Sequence, residues 1–92
     1  MKDLEKIVKA FANMRRLHII QHLTKDGDAS VSEVASEIRL SFKATSKHLR
    51  ILSSAGILDR KQNSTTVFYF LQKPLHPITK KIVSLLPHSQ PK

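Results

Sequence analysis

Apolar residues recur with the period of an α-helix through the first part of the chain. Residues 3–12 carry apolar side chains at i, i+3, i+4 and i+7, which predicts a helix with one apolar stripe made of Leu4, Ile7, Val8 and Phe11. Asn13 is a suitable N-cap for a second helix, and Gly27 supplies the backbone freedom with which a helix often ends. The predicted buried face of this second helix consists of Leu17, Ile19, Ile20 and Leu23.

Two further helices follow, separated by a short turn. Ser30 and Glu33 fit a capping box, so the sequence predicts a third helix that ends near Arg39. Ser41 is a suitable N-cap for a fourth helix over residues 42–55, which Gly56 closes. A short helix joined to a longer one by a turn of roughly three or four residues is typical of a helix-turn-helix.

The pattern changes after the fourth helix from helical period to strand. Residues 57–61 are predicted as a short strand, residues 62–65 as a polar turn, and residues 66–71 as a second strand because they are largely β-branched and aromatic. These elements form a β-hairpin. Pro74 and Pro77 then bound the start of a last helix at about 76–86.

The predicted fold is therefore mainly α with a small β-hairpin, in the order α-α-α-α-β-β-α. This is the order of a winged helix-turn-helix, and the residues resemble the ArsR-like (arsenical-resistance-repressor) regulators. The segments that carry the resemblance are residues 11–20, 30–38, 41–52, 55–58 and 67–71. We predict one DNA-binding domain with terminal dimerisation helices over residues 1–86, followed by a flexible tail over residues 87–92.

The sequence also departs from the pattern of that family. Met14 stands where the family usually has Pro, and Phe42 stands where it usually has Gln. The predicted wing turn lacks the usual Gly, and the Cys-containing metal motif of some members is missing. The resemblance implies a transcriptional regulator, by the family's usual sign a repressor, that binds a pseudo-palindromic operator in double-stranded DNA as a homodimer.

Charge supports a polyanionic partner. The net charge is +9, and residues 39–92 hold ten of the 16 basic residues but only one of the seven acidic ones. This asymmetry indicates nucleic acid or an anionic membrane surface as the partner.

The absence of Cys excludes disulfides, thiolate metal sites and thiol nucleophiles. No apolar run approaches the roughly 18 residues of a membrane span, and the charged start is unlike a signal peptide, so we predict a cytoplasmic protein without a membrane partner.

The predicted fourth helix has the two faces of a recognition helix. Thr45, Leu49 and Leu52 lie on an inward stripe, and the opposite face consists of Phe42, Lys43, Ser46, Lys47 and Arg50. Lysines can reach guanine O6 and N7, and Phe42 can contact a thymine methyl group. A solvated basic face is the alternative interpretation. In the hairpin, the predicted DNA contacts are Arg60, Lys61, Gln62, Asn63 and Ser64, with an ordinary polar turn as the alternative.

The terminal helices form the dimer surface that the resemblance implies. The predicted interface residues are Leu4, Ile7, Phe11, Ile78, Ile82 and Leu85. The family pattern places Tyr69 in the core. Because side chains alternate along a strand, Phe68 and Phe70 then point to the opposite face. Either a helix of the same subunit, the first or the last, covers them, or they join an interface. The alternative function is therefore a winged-helix module for protein–protein interaction.

Metal binding and catalysis have weak support in the sequence. His18 and His22 stand at i, i+4 on the exposed side of the second helix, but a metal site normally needs three or four ligands, so solvated histidines are expected. His76 and His88 bracket the last helix, where some family members place metal ligands, yet Pro74 replaces the expected acid. The sequence shows no catalytic set and no phosphate-cradling Gly loop. We predict no enzyme activity, no cofactor and no metal, and a small-molecule or metal effector is unsupported.

Overall fold

The computed structural model describes residues 1–87, which form five helices and three strands. Their bounds are α1 Lys2–Phe11, α2 Met14–Asp26, β1 Ala29–Ser30, α3 Val31–Ile38, α4 Phe42–Ser54, β2 Leu58–Asn63, β3 Thr66–Leu71 and α5 Pro77–Leu85. The predicted winged helix-turn-helix is confirmed, and α1, α4 and α5 agree with their predicted bounds to within one residue at each end. His88 and the rest of the predicted tail beyond residue 87 lie outside the described residues.

Polar side chains begin the helices at the positions that the sequence predicts. The Oδ1 atom of Asn13 accepts the N–H of the third residue of α2 at 3.1 Å. Ser30 and Glu33 form the full capping box, with the Ser30 Oγ atom 3.2 Å from the Glu33 nitrogen and the Glu33 carboxylate 2.8 Å from the Ser30 nitrogen. At the start of α4 the Ser41 Oγ atom accepts the Ala44 N–H at 3.1 Å. Because each cap satisfies an N–H group left free at the helix start, it fixes where the helix begins.

The sheet contains one strand more than the predicted hairpin. It is antiparallel, in the order β1-β3-β2, and the two residues of β1 pair Ala29 with Tyr69 and Ser30 with Phe68. A strand of two residues is too short to show a period, so only its long-range pairing defines it. The strand runs directly into α3, and it thereby ties the start of the helix-turn-helix to the wing.

The hairpin is also tighter than predicted. Strand β2 continues to Asn63, which pairs with Thr66, so the turn consists of Ser64 and Thr65 alone. The predicted turn at residues 62–65 was therefore wrong by two residues, because Gln62 and Asn63 belong to β2. Ser64 adopts a φ of +62°, and this left-handed conformation closes a two-residue turn without Gly.

The core lies between the helices and the inner face of the hairpin. Its fully buried side chains include Ile19, Ile20, Val34, Leu49, Leu52, Ile57 and Leu58. Helix α1 contributes Ile7 and Phe11, whereas Leu4 and Val8 of the predicted single stripe are exposed. No helix within residues 1–87 is long and apolar enough to cross a membrane.

Candidate nucleic-acid interface

Helix α4 presents a basic surface because its opposite face is locked into the core. Thr45, Leu49 and Leu52 have no exposed surface, which fixes the rotation of the helix about its axis. The described structure brings the predicted contact residues of α4 onto the outward side: Phe42, Lys43, Lys47 and Arg50 are exposed and Ser46 is half-buried. Phe42 keeps 59% of its surface exposed, which is unusual for a large apolar side chain.

A cleft of about 480 Å³ separates α4 from the wing. Its lining brings together residues from three elements: Ser30, Val31 and Ser32 at the start of α3, Phe42, Ser46 and Arg50 of α4, and Arg60, Thr65, Thr66, Val67 and Tyr69 of the hairpin. Arg50 donates a hydrogen bond from Nη1 to the Ser46 Oγ atom at 3.1 Å. This places two arginine side chains, Arg50 and Arg60, on one concave surface with the exposed Phe42.

The structure separates the two predicted cations of the wing. Arg60 pairs with Tyr69 across the hairpin and Lys61 pairs with Phe68, so their side chains lie on opposite faces of β2. Lys61 Nζ lies 3.4 Å from Asp28 Oδ2 and 5.9 Å from the centroid of the Phe70 ring. Arg60 therefore joins the residues of α4, whereas Lys61 faces the loop after α2.

The same alternation divides the rest of the predicted wing contacts. Gln62 shares the strand side of Arg60, and Asn63 shares that of Lys61. Ser64 lies in the turn, and its carbonyl oxygen accepts a hydrogen bond from Gln62 Nε2 at 3.1 Å. All three residues are exposed.

Phe68 and Phe70 are half-buried on the outer face of the hairpin. A cavity of about 350 Å³ places Phe70 beside Leu23, Gly27 and Lys61, among others. The two alternatives for these residues were cover by the same subunit and participation in an interface, and part of Phe70 is covered by its own subunit. The covering groups come from the neighbouring strand and the end of α2, rather than from the first or last helix as expected.

Arg16 is a residue of this region that the sequence interpretation missed. Its Nε atom donates to the Ala10 carbonyl oxygen at 2.6 Å, and its Nη2 atom donates to the Lys9 carbonyl oxygen at 3.4 Å. Its Nη1 atom lies 3.2 Å from the Nδ1 atom of His48 on α4. One guanidinium therefore satisfies carbonyls at the end of α1 and joins that helix end to α4. The signal in the sequence was a basic residue in the first turn of α2, a short loop away from the C-terminal carbonyl groups of α1.

His48 accepts the hydrogen bond from Arg16, because a guanidinium can only donate. Burial lowers the pKa of His48 below its ordinary value, and the positive charges of Arg16, Arg15 and Lys47 lower the pKa further. The neutral imidazole is therefore the form that fits between α2 and α4. The sequence interpretation of His48 as a packing or hydrogen-bonding residue agrees with this geometry.

The other histidines show no metal cluster. The prediction that His22 is solvated was wrong, because its side chain is 13% exposed and its Nδ1 atom lies 3.1 Å from Asp26 Oδ2. His76 caps α5 by accepting the Ile78 N–H at 3.1 Å. Within residues 1–87, no group of three or more His, Cys, Asp or Glu side chains is placed to hold a metal ion.

The predicted dimer residues of the terminal helices fall into three classes. Ile7 and Phe11 are buried in the core of the subunit itself, so their surface is not available to a partner. Ile78 and Ile82 are half-buried against the core. Leu4 and Leu85 are exposed, Leu85 by 71%, and so is Val8. The exposed apolar surface of α1 thus lies at Leu4 and Val8, on the side of the stripe that the subunit leaves uncovered.

Comparison with known sequences identifies related regulators. A family model described as bacterial regulatory protein, arsR family, matches residues 13–60. The transcriptional activator HlyU of Vibrio cholerae is 42% identical over 65 residues, which are 71% of this chain and 59% of HlyU. The HTH-type transcriptional regulator MJ1325 of Methanocaldococcus jannaschii is 34% identical over 74 residues, 77% of this chain and 83% of that protein. The chain therefore spans less than two thirds of the length of HlyU.

Solved structures agree with these sequence matches. Reduced HlyU from Vibrio cholerae has a TM-score of 0.77 and 35% identity, covering 92% of this chain and 85% of that chain. The homodimeric winged helix-turn-helix DNA-binding domain of Mb0332 from Mycobacterium bovis has a TM-score of 0.81 and 23% identity, covering 91% and 75%. At that identity the second likeness shows the fold alone.

Proposed function

This chain belongs to the arsR family of bacterial regulatory proteins, and we propose that it binds a pseudo-palindromic operator in double-stranded DNA as a homodimer. The relatives named above are transcriptional regulators, not enzymes. The observation that carries the proposal is the cleft that joins the exposed basic face of α4 to Arg60 of the wing. A convex basic helix beside a cationic wing is complementary in shape to a major groove and in charge to the phosphates that flank the groove.

Helix α4 would enter the major groove. Lys43 and Lys47 are long, exposed donors that suit guanine O6 and N7, and the short Ser46 allows close approach to base edges. Phe42 cannot form hydrogen bonds through its ring, so its contact would be apolar, against a thymine methyl group. Arg50, held by its hydrogen bond to Ser46, would donate to a phosphate.

The wing would contact the DNA backbone beside that groove. Arg60 lies on the same concave surface as Arg50, so both can reach phosphates of one strand. Gln62, Asn63 and Ser64 are short or flexible polar groups near the turn, suited to the sugar-phosphate backbone or the minor groove. Lys61 points away from the cleft, and we assign it a long-range contribution to the positive field rather than a contact.

The dimer would form through the terminal helices. Leu4 and Val8 of α1 and Leu85 of α5 expose apolar surface that a twofold partner can cover. Ile78 and Ile82 would lie at the edge of that interface. A twofold axis between the subunits would place two copies of α4 about one DNA turn, roughly 34–36 Å, apart. The Mb0332 domain, which has the same fold, is homodimeric, and this supports a dimeric state for this chain.

The direction of regulation remains a prediction. The family resemblance implies repression, in which the bound dimer excludes the transcription machinery. HlyU is a transcriptional activator, so a relative at 42% identity acts in the opposite direction. HlyU has the same fold as this chain, so both directions of regulation are compatible with the fold.

Selection of bound duplexes from a random DNA pool tests the proposal. We expect enrichment of a pseudo-palindrome whose half-sites are about one helical turn apart. The double variant Lys43→Ala/Lys47→Ala should lose specific binding, whereas Lys80→Ala/Lys81→Ala, which removes two exposed lysines of α5, should keep it. Failure of the wild-type protein to enrich any sequence would overturn the proposal.

A further inference from the structure

We propose that a second cationic cleft, between α1 and α4, binds phosphates of the DNA backbone on the side of α4 away from the wing. The inference rests on the proposed function, because the phosphates belong to the duplex that α4 enters. It adds Lys6 and Lys9 of α1, which the family resemblance did not bring into the site, to the surface that contacts DNA.

The cleft has a volume of about 400 Å³, and every charged residue that lines it is basic. It is lined by Lys6, Lys9 and Ala10 of α1, Arg16 of α2, Lys47, Arg50, Ile51 and Ser54 of α4, and Ala55. Five of these residues are cationic and none is acidic. Clustered cations repel one another, so an anion bound between them stabilises the arrangement.

The five cations differ in how free they are to meet a ligand. Arg16 is committed to carbonyl oxygens of α1 and to His48, so it supplies charge rather than donors. Lys9 lies 3.8 Å from Glu5, but both side chains are largely exposed, and such a pair contributes little. Lys6 forms no salt bridge with any of the residues 1–87, so its ammonium group can turn toward an incoming phosphate at small cost. Lys47, which we assign to the bases, adds its charge to the rim of the cleft.

The positive potential of this region also acts on His48. Besides burial, the charges of Arg16, Arg15 and Lys47 hold the pKa of His48 low. The same charges that disfavour an imidazolium favour a phosphate beside it.

The position of the cleft selects the DNA backbone as the ligand. Lys47 and Arg50 line this cleft and also stand on the outward face of α4, so a duplex held by α4 brings phosphates to its rim. Arg50 also lines the cleft on the wing side, and it therefore separates two cationic clefts that flank one helix. The two backbones that border a major groove lie on either side of a recognition helix. The wing cleft would take one backbone, and the α1–α4 cleft would take the other.

The salt dependence of binding to a random-sequence duplex tests the inference. Each phosphate contact contributes about 0.9 to the slope of log K against log salt concentration. We expect Lys6→Ala/Lys9→Ala to lower the slope by up to about 1.8 relative to the wild type between about 50 and 200 mM salt. Selection from the random DNA pool should return the same preferred sequence for this variant as for the wild type. Lys6→Arg/Lys9→Arg, which keeps the charge, should restore the wild-type slope. Circular dichroism of each variant confirms that it is folded.

Lys80→Ala/Lys81→Ala is the matched control, because it removes the same charge from α5, outside the cleft. If Lys6→Ala/Lys9→Ala and this control have equal slopes, the inference is wrong. The proposed function would still stand if Lys43→Ala/Lys47→Ala lost sequence-specific binding in the selection from a random DNA pool. Absence of duplex binding by the wild-type protein would overturn both.

Discussion

At the scale of single residues, α4 carries a buried hydroxyl group that forms no hydrogen bond within the described residues. The Oγ1 atom of Thr45 is buried and has no hydrogen-bond partner among residues 1–87. A buried hydroxyl without a partner costs about 1–3 kcal/mol in protein mutational data. Thr45 thus sits in an apolar site whose shape, rather than polarity, it matches.

Replacing Thr45 with Val should therefore stabilise the protein. Val has nearly the same shape and a similar helix propensity, so the main change is removal of the hydroxyl. We expect the free energy of unfolding from urea denaturation to rise by about 1 kcal/mol. Thr24→Val is the control, because the Thr24 hydroxyl donates to the Ile20 carbonyl oxygen at 2.7 Å. A loss of stability in Thr45→Val would contradict the assignment of an unpaired hydroxyl.

His48 should make stability depend on pH in the weakly acidic range. Its folded-state pKa lies below the value of about 6.5 that it has in an unfolded chain, so the unfolded state takes up the proton first. The stabilisation from the neutral ring is present above pH 6.5 and is lost as the pH falls through the folded-state pKa. We expect urea denaturation to show a larger loss between about pH 7.5 and 5.5 in the wild type than in His48→Gln.

His18→Gln serves as the comparison for that measurement, since His18 is exposed on α2. It should follow the wild-type pH dependence. Equal pH dependence in the wild type and in His48→Gln would show that His48 is not the group responsible.

At the scale of elements, the wing is divided by the alternation of a strand. Arg60 and Lys61 are adjacent in sequence, but only Arg60 lies in the cleft with Arg50, whereas Lys61 lies beside Asp28. The net charge gives the two cations equal weight, but the pairing register of the hairpin places them on opposite faces of β2.

Substitution of each cation by Ala should therefore have unequal effects on DNA binding. We expect Arg60→Ala to lower the slope of log K against log salt by about 0.9 and to weaken binding to all sequences. Lys61→Ala should leave the slope closer to that of the wild type, because its side chain faces away from the cleft. Fluorescence anisotropy with a labelled duplex measures both effects. A larger change for Lys61→Ala than for Arg60→Ala would contradict the assignment.

The sequence predicted an element correctly where contacts between residues close in sequence determine that element. Asn13, Ser30 and Ser41 act on N–H groups within three residues, so the starts of α2, α3 and α4 could be predicted. Strand β1 exists only through pairing with β3, and no local pattern indicated it. The polar character of Gln62 and Asn63 favoured a turn, but pairing with Val67 and Thr66 kept them in the strand.

The candidate site followed the same rule. The exposed face of α4 could be predicted, because helical period alone separates Lys43 and Lys47 from the buried Leu49 and Leu52. The bond from Arg16 to His48 could not be predicted, since it joins positions 32 residues apart. The burial of Ile7 and Phe11 also depended on tertiary packing, which divides one apolar stripe between the core and the surface.

At the scale of the whole molecule, the exposed apolar surface of the terminal helices is concentrated in few side chains. Val8 and Leu85 are exposed in the single chain, so substitutions there leave the core intact. Burial of such a side chain in an interface contributes about 1.5–3 kcal/mol, and twofold symmetry doubles the effect of each substitution.

The variant Val8→Glu/Leu85→Glu should therefore be a folded monomer. We expect sedimentation velocity to show the mass of one chain where the wild type shows two. Its affinity for a full pseudo-palindrome should fall to that for a single half-site. Met14→Glu, an exposed apolar residue outside α1 and α5, is the control and should stay dimeric. A double variant that stays dimeric would place the interface elsewhere.

The guanidinium of Arg16 has a consequence for how such a protein can diversify. Helix α1 exposes Leu4 and Val8 on one side, while its end is bonded through Arg16 to His48 of α4. In the proposed dimer, a tilt of α1 against the twofold axis would be transmitted to α4 through the bonds of Arg16. Substitutions in α1 would then change the spacing between half-sites while the residues that face the bases stay the same. Operator geometry and operator sequence would become two properties that evolution can adjust separately.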